Sequence, residues 1–201
     1  MKTVLIAIQP YWVFLIIAKK MGWEIDQEKT VEVRKNFPKD LNWNRKAIIY
    51  CSKNKQSFNL IPKKYQPLME KFLGRVIGEF VCDRIDEYSY DQAFDESMGV
   101  YIDKYGYDIT SYELGQTCLT YEDFENYGNT NRLFGWHITD LVIYDKPREL
   151  SEFKRDCDGN CQSCQYAIWQ TSGLAYEPYI VDCKPITRPF QSWGYIEDLG
   201  V

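Results

Sequence analysis

Residues 28–35 read EKTVEVRK. Val31 and Val33 alternate with Thr30, Glu32 and Arg34, the period of a strand with one apolar face. The valines then belong to a core. Glu32 and Arg34 share the opposite face, where they can pair. Lys29 stands at the strand entrance, with a side chain long enough to swing to either face. One short strand thus carries an ammonium, a carboxylate and a guanidinium fork, a set able to read a polar heterocycle or hold a phosphate. The plainer alternative is a solvated strand face with an ordinary surface ion pair, which is worth little.

Working outward, TVLIAI (3–8) reads as a buried strand, and Pro10 opens a helix at about residues 11–21, since proline is tolerated in a first turn. Strands follow at 29–35 and 46–51, and the polar stretch SKNKQSFNLIPKKYQP reads as a loop. GRVIGEFVCDRIDEY (74–88) alternates and reads as one long strand. Within it, Gly74 and Gly78 mark a turn and a bulge or close backbone approach. LTYEDFENYG (119–128) reads as a short helix capped by Thr120, with acidic residues in its first turn and Gly128 closing it. GWHITDLVIYDKP (135–147) is a strand ended by Pro147, and QSWGYIE (191–197) is the last strand. The order predicts an α+β fold, a small closed or nearly closed mixed β-barrel with helices at its openings; an open α+β sheet is the alternative. A single domain over 1–201 is expected, with an acidic, Tyr-rich insert at about 89–116 and a cysteine-rich one at about 154–187.

Among 201 residues the net charge is −5, which disfavours non-specific coating of nucleic acid. The charge is unevenly spread. Lys29 to Arg75 holds 12 Lys/Arg against 3 Asp/Glu, and Val76 to Glu125 holds 2 against 13. Either these are solvated faces that attract each other, or the first half offers a basic surface to phosphate beside an acidic lobe. The apolar stretch Val4 to Ala18 superficially resembles a secretion signal, but Gln9-Pro10 interrupts it and it is too short to span a bilayer. A cytoplasmic protein without membrane association is the expectation. Seven cysteines, an odd number, then point to thiols or metal rather than to a disulfide framework.

The run from Thr3 to Lys39, with Gln9-Pro10, Trp12 and then KTVEVRKNFP, resembles the ASCH domain family of PUA-like barrels. Its signature is G-x-K-x-x-E-x-R. Lys29, Glu32 and Arg34 match the K, E and R, and Gln27 stands where the signature has glycine. IYCSK (49–53), GRVIGEFVCDRI (74–85), TCLTYEDF (117–124), GWHITDLVIYDKPRELSEF (135–153) and RPFQSWGYIE (188–197) resemble a longer ASCH-like subgroup of Firmicutes and their prophages. The resemblance implies recognition of RNA or of a modified nucleoside or nucleotide in a cleft between barrel and helices. A more distant branch contains amidohydrolases that remove acetyl from N4-acetylcytidine, using a lysine, a threonine and a later glutamate. Lys29 matches that lysine and is the candidate catalytic residue. Glu32 stands in the threonine's position, and Glu79 lies on a strand that offers a later glutamate.

The resemblance also draws in Gln9, Trp12, Trp136, His137, Gln191 and Trp193 as ligand-binding candidates. The tryptophans can stack on a base, though each also suits a core. His137 is the chain's one histidine, and such a residue is more often a structural hydrogen-bonder than a catalyst. CDGNCQSC (157–164) followed by Cys183 presents four thiolates, which suit one structural Zn²⁺ held by Cys157, Cys161, Cys164 and Cys183; free thiols are the alternative. Three functions follow: an RNA or nucleoside binder built around Lys29, Glu32 and Arg34; an amidohydrolase acting on an acylated nucleoside; and a mobile-element factor that meets a protein partner through residues 89–116.

Overall fold

The computed structural model describes residues 3–38, 45–91, 100–129, 131–156 and 185–197. Two sheets form. The first runs β8 (Thr139–Arg148), β4 (Arg75–Cys82), β3 (Arg45–Cys51), β1 (Thr3–Ile8), β9 (Trp193–Ile196). The second runs β2 (Val31–Arg34), β7 (Leu133–His137), β5 (Ile85–Asp91), β6 (Val100–Asp103). β1 pairs with β3 in parallel, whereas β9 joins the other edge of β1 antiparallel. Among the described residues the strands pair as two separate sheets, which corrects the expected barrel.

The unbroken apolar run TVLIAI makes sense at β1, which sits inside the first sheet with both faces covered. Val4, Ile6 and Ile8 enter one core with Ala47, Ile49 and helix α1 (Pro10–Ile17). Leu5 enters a second core on the far face with Ile48, Tyr50, Phe153 and Ile196. Full burial of each such aliphatic side chain contributes about 1.5–3 kcal/mol. A third core, holding Val33, Tyr88, Tyr101, Phe124 and Leu133, lies against the second sheet.

The two long strands read from sequence are each split between the sheets. β4 passes into β5 through Asp83 and Arg84, and β7 passes into β8 through Ile138. Both corners lie together, since the His137 N–H donates to the Arg84 carbonyl at 3.0 Å. The apolar phase slips at each corner: Cys82 and Ile85, and Ile138 and Leu141, pack against the same core although three residues apart. Gly78 does mark a close approach. A Cβ there would collide with the Val142 carbonyl, and the β4–β8 register shifts on either side.

The stretch read as a loop after β3 contains α2 (Lys55–Asn59) and α3 (Gln66–Glu70). The Asn54 side chain caps α2 by accepting from the Ser57 N–H. The 89–116 segment contributes the end of β5, β6 and most of α4 (Ser111–Thr117). Thr110 and Glu113 form a capping box for α4. Thr120 and Asp123 do the same for α5 (Tyr121–Gly128). Gly128 is the last helical residue rather than the left-handed one. Tyr101 occupies the space of its missing side chain, and Asn129 takes the positive φ of 48°. No helix among the described residues is long and apolar enough to cross a membrane.

Candidate functional site

β2 pairs with β7, placing Val31 opposite His137, Glu32 opposite Trp136 and Arg34 opposite Phe134. The valines face the α4–α5 side as expected. The charged residues face α1 and the end of β1, and that face too is covered: Glu32 and Lys29 are each 3% exposed. The alternative of a solvated strand face therefore does not hold.

Three elements fix the charged set. The Lys29 N–H donates to the Leu15 carbonyl at 3.3 Å, tying the strand entrance to α1. The Lys29 ammonium donates to the Thr117 carbonyl at 2.6 Å, at the C-terminal end of α4, where helix carbonyls favour a cation. The Thr30 N–H donates to the Gln116 carbonyl one residue earlier. Arg34 donates from Nη2 to the Ala7 carbonyl at 2.6 Å, beside the last residues of β1. Between these cations lies the Glu32 carboxylate, with Oε1 3.0 Å from Arg34 and Oε2 3.5 Å from Lys29. Burial lowers the Lys29 pKa from its ordinary value; the neighbouring Glu32 charge opposes that shift without cancelling it. Oε2 of Glu32 and Nε of Arg34 are buried without a hydrogen-bond partner, an unusual state for buried polar atoms.

This set lies in the wall of a cavity of about 220 Å³. Gln9 and Trp12, at the start of α1, form one side, and the Lys29 ammonium stands 5.0 Å from the centre of the Trp12 ring. Leu119, Asp123 and Tyr127, from α5 and the residues before it, form the other, with Val33 also contributing. The volume falls below the roughly 300–1,000 Å³ of pockets for drug-sized ligands, so it suits one small ring system. The cavity is lined by cations, a carboxylate and a tryptophan ring.

Gln9, Trp12, Lys29, Glu32 and Arg34 thus come together around one cavity. The other candidates lie elsewhere. Trp136 is fully buried in the core beside Glu32 and does not line the cavity, and Trp193 lies 6.2 Å from it, donating through Nε1 to Asn36. Gln191 is exposed in the bend before β9. His137 projects from the opposite face of the second sheet, with Nε2 2.6 Å from Asp86 Oδ2 and 2.8 Å from Arg84. Burial pushes the Asp86 carboxyl up, but the hydrogen bonds and charges of His137 and Arg84 outweigh it and hold the pKa low. Glu79 is on the far face of the first sheet. It accepts from the Tyr144 hydroxyl at 2.6 Å and pairs with Lys46 at 3.0 Å, away from Lys29.

Leu119, Asp123 and Tyr127 were not anticipated. The acidic residues of α5 had a sufficient explanation in its first turn, and tertiary packing, with Phe124 in one core with Val33, brings that helix to the strand. Cys157, Cys161, Cys164 and Cys183 lie outside the described residues. Among the described residues no cluster of three or more His, Cys, Asp or Glu is arranged to hold a metal ion.

No protein-family model matches the chain, and no curated protein matches it. Similar solved structures include three of an ASCH protein from Zymomonas mobilis. The unsubstituted protein is 15% identical with a TM-score of 0.45, covering 98% of this chain and 88% of that one. A serine-to-alanine variant is 13% identical with a TM-score of 0.47, covering 98% and 89%. A tyrosine-to-phenylalanine variant is 16% identical with a TM-score of 0.41, covering 75% and 77%. At TM-scores below 0.5 these likenesses carry no argument, and the functional case stands on the side chains around the cavity.

Proposed function

We propose that the chain is an ASCH-like binding module of the longer Firmicutes and prophage type, and that its cavity takes a base of RNA or a modified nucleoside or nucleotide. The carrying observation is the Glu32 carboxylate, clamped between Lys29 and Arg34 in the wall of a cavity that also carries Trp12. The polar edge of a base meets this charged set while its face lies against the tryptophan. Titration with short RNAs and with common and modified nucleosides tests this. Binding is expected, with Trp12→Ala costing roughly 1–3 kcal/mol, the worth of one stacked base, and Arg34→Ala weakening it further. Absence of binding by the wild type, or full affinity in Arg34→Ala, sinks the reading.

Amidohydrolysis of an acylated nucleoside is the second reading, favoured by a buried lysine whose proton is loosened. It lacks a hydroxyl at position 32, and Glu79 is too far round the first sheet to assist. Incubation with N4-acetylcytidine decides it: turnover abolished by Lys29→Ala supports hydrolysis, and no turnover ends it.

The zinc assignment rests on the donor set alone. Four cysteines at this spacing suit a closed tetrahedral site, which keeps no open position for catalysis. Metal analysis of the purified chain is expected to give about one zinc per chain, the stoichiometry of one such site. Unchanged zinc in a Cys161→Ser/Cys164→Ser variant overturns it.

A further inference from the structure

The cavity mouth is electrically lopsided. On the α1 side, α2 abuts the residues that line the wall. The Ser52 N–H donates to the Ile8 carbonyl at 2.8 Å, just before Gln9. The Tyr11 N–H donates to Ser57 Oγ at 3.0 Å, just before Trp12. Lys53, Lys55, Lys63, Lys64 and Lys71 are exposed on and around α2 and α3. Among the described residues none of the five forms an ion pair, unlike Lys19, Lys29 and Lys46. Leu60 and Leu68 are 65% and 45% exposed beside them. On the opposite side stands α5, with Glu122 and Asp123 exposed at its start and one exposed lysine, Lys35, over its Tyr127 ring.

We propose that a nucleic-acid strand whose base occupies the cavity leaves it over α2 and α3, where the lysines meet its phosphates. This rests on the base-binding reading above and adds to it a class of ligand, a base within a single strand, and a direction of travel. Phosphates are repelled at α5 and attracted at α2, and such backbone contacts position a strand without reading its sequence. The two charge blocks of the sequence thereby act together: one steers the backbone and the other denies it the wrong exit.

The test uses the full chain and a Lys53→Gln/Lys55→Gln/Lys63→Gln/Lys64→Gln variant, with circular dichroism to check folding. The probes are the four common nucleosides, single-stranded RNA of mixed sequence about ten nucleotides long, and vesicles containing anionic phospholipid. Salt is varied between about 50 and 200 mM. The wild type is expected to bind RNA more tightly than any nucleoside. The variant is expected to keep its nucleoside affinity, lose at least about tenfold in RNA affinity, and show a shallower salt dependence, by about 0.7 in log–log slope per phosphate contact removed. Intact nucleoside binding with RNA affinity and slope unchanged in the variant overturns the strand path and leaves the cavity reading standing. No binding of either ligand by the wild type removes both. RNA binding lost in the variant but indifferent to Arg34→Ala separates the surface from the cavity and overturns the joined path. So does lysine-dependent vesicle binding without any RNA effect, which reassigns the patch to lipid.

Discussion

Glu32 and Trp136 stand directly opposite each other on β2 and β7, and each keeps one buried polar atom without a hydrogen-bond partner, Oε2 and Nε1 respectively. Opposite residues of an antiparallel pair project from the same face of the sheet. The tryptophan N–H and the glutamate oxygen thus share a neighbourhood, yet Oε2 lies 3.5 Å from the Lys29 ammonium and does not accept from the indole. An unmatched buried group costs about 1–3 kcal/mol. The fold tolerates two here, as it does at Arg45 and Ser52.

Neutralising the carboxylate should expose that cost. Glu32→Gln keeps the shape but leaves two buried cations without their counter-charge. Breaking such a pair costs about 3 kcal/mol. Urea unfolding of the variant measures the loss, and a loss below about 0.5 kcal/mol, the scale of an ordinary surface change, rules out a clamped carboxylate.

The burial of Lys29 gives its contribution a definite sign with pH. Its folded pKa lies below the ordinary 10.5, so over the interval between the two values the unfolded chain holds a proton that the folded one has released. Stability then rises with pH. Lys29→Met lacks this response. The wild type should therefore gain on the variant as pH climbs towards 10.5, in unfolding curves taken at neutral and alkaline pH. A gap that stays constant contradicts it.

Thiols act the other way. Burial pushes Cys51 and Cys82 from 9.0 up to about 12. Their contribution is whole below pH 9.0 and drains away as pH rises towards about 12, because the unfolded thiols ionise first. A Cys51→Ala/Cys82→Ala variant is less stable at neutral pH, and its melting temperature should fall less steeply above pH 9.0. Parallel profiles would contradict thiol burial as the cause.

Gly78 offers a purely steric test. Gly78→Ala drives a methyl group into the Val142 carbonyl on β8, and overpacking of this kind costs typically 1–3 kcal/mol. Chemical denaturation reads it, and a neutral result means that the bulged β4–β8 pairing is looser than described.

Much of this was legible from the residues. TVLIAI, the valine spacing of EKTVEVRK, the Thr120 cap and the glycine at 78 each declare a local requirement that the fold meets. The sheet corners leave only a faint trace, a one-residue slip of the apolar phase between Cys82 and Ile85 and between Ile138 and Leu141, which a reading for plain alternation passes over. α2 and α3, of five residues each, are too short to develop a helical period. Only Asn54 and Pro67 signal their starts. The site was half legible for the same reason. Lys29, Glu32 and Arg34 lie on one strand, whereas Asp123 and Tyr127 reach the cavity through a tertiary contact that no spacing encodes.

The paired corners at Asp83–Arg84 and Ile138 have a mechanical consequence. Two continuous backbones stitch the sheets together along one edge, so neither sheet can swing from the other like a door without bending both strands. Widening of the cavity therefore falls to the unstitched side, where residues 111–128 rest on β2 through ties that include the Lys29–Thr117 and Thr30–Gln116 hydrogen bonds. The ammonium in the cavity wall is thus also a latch on the helical wall, and drawing it away from Thr117 would loosen that wall.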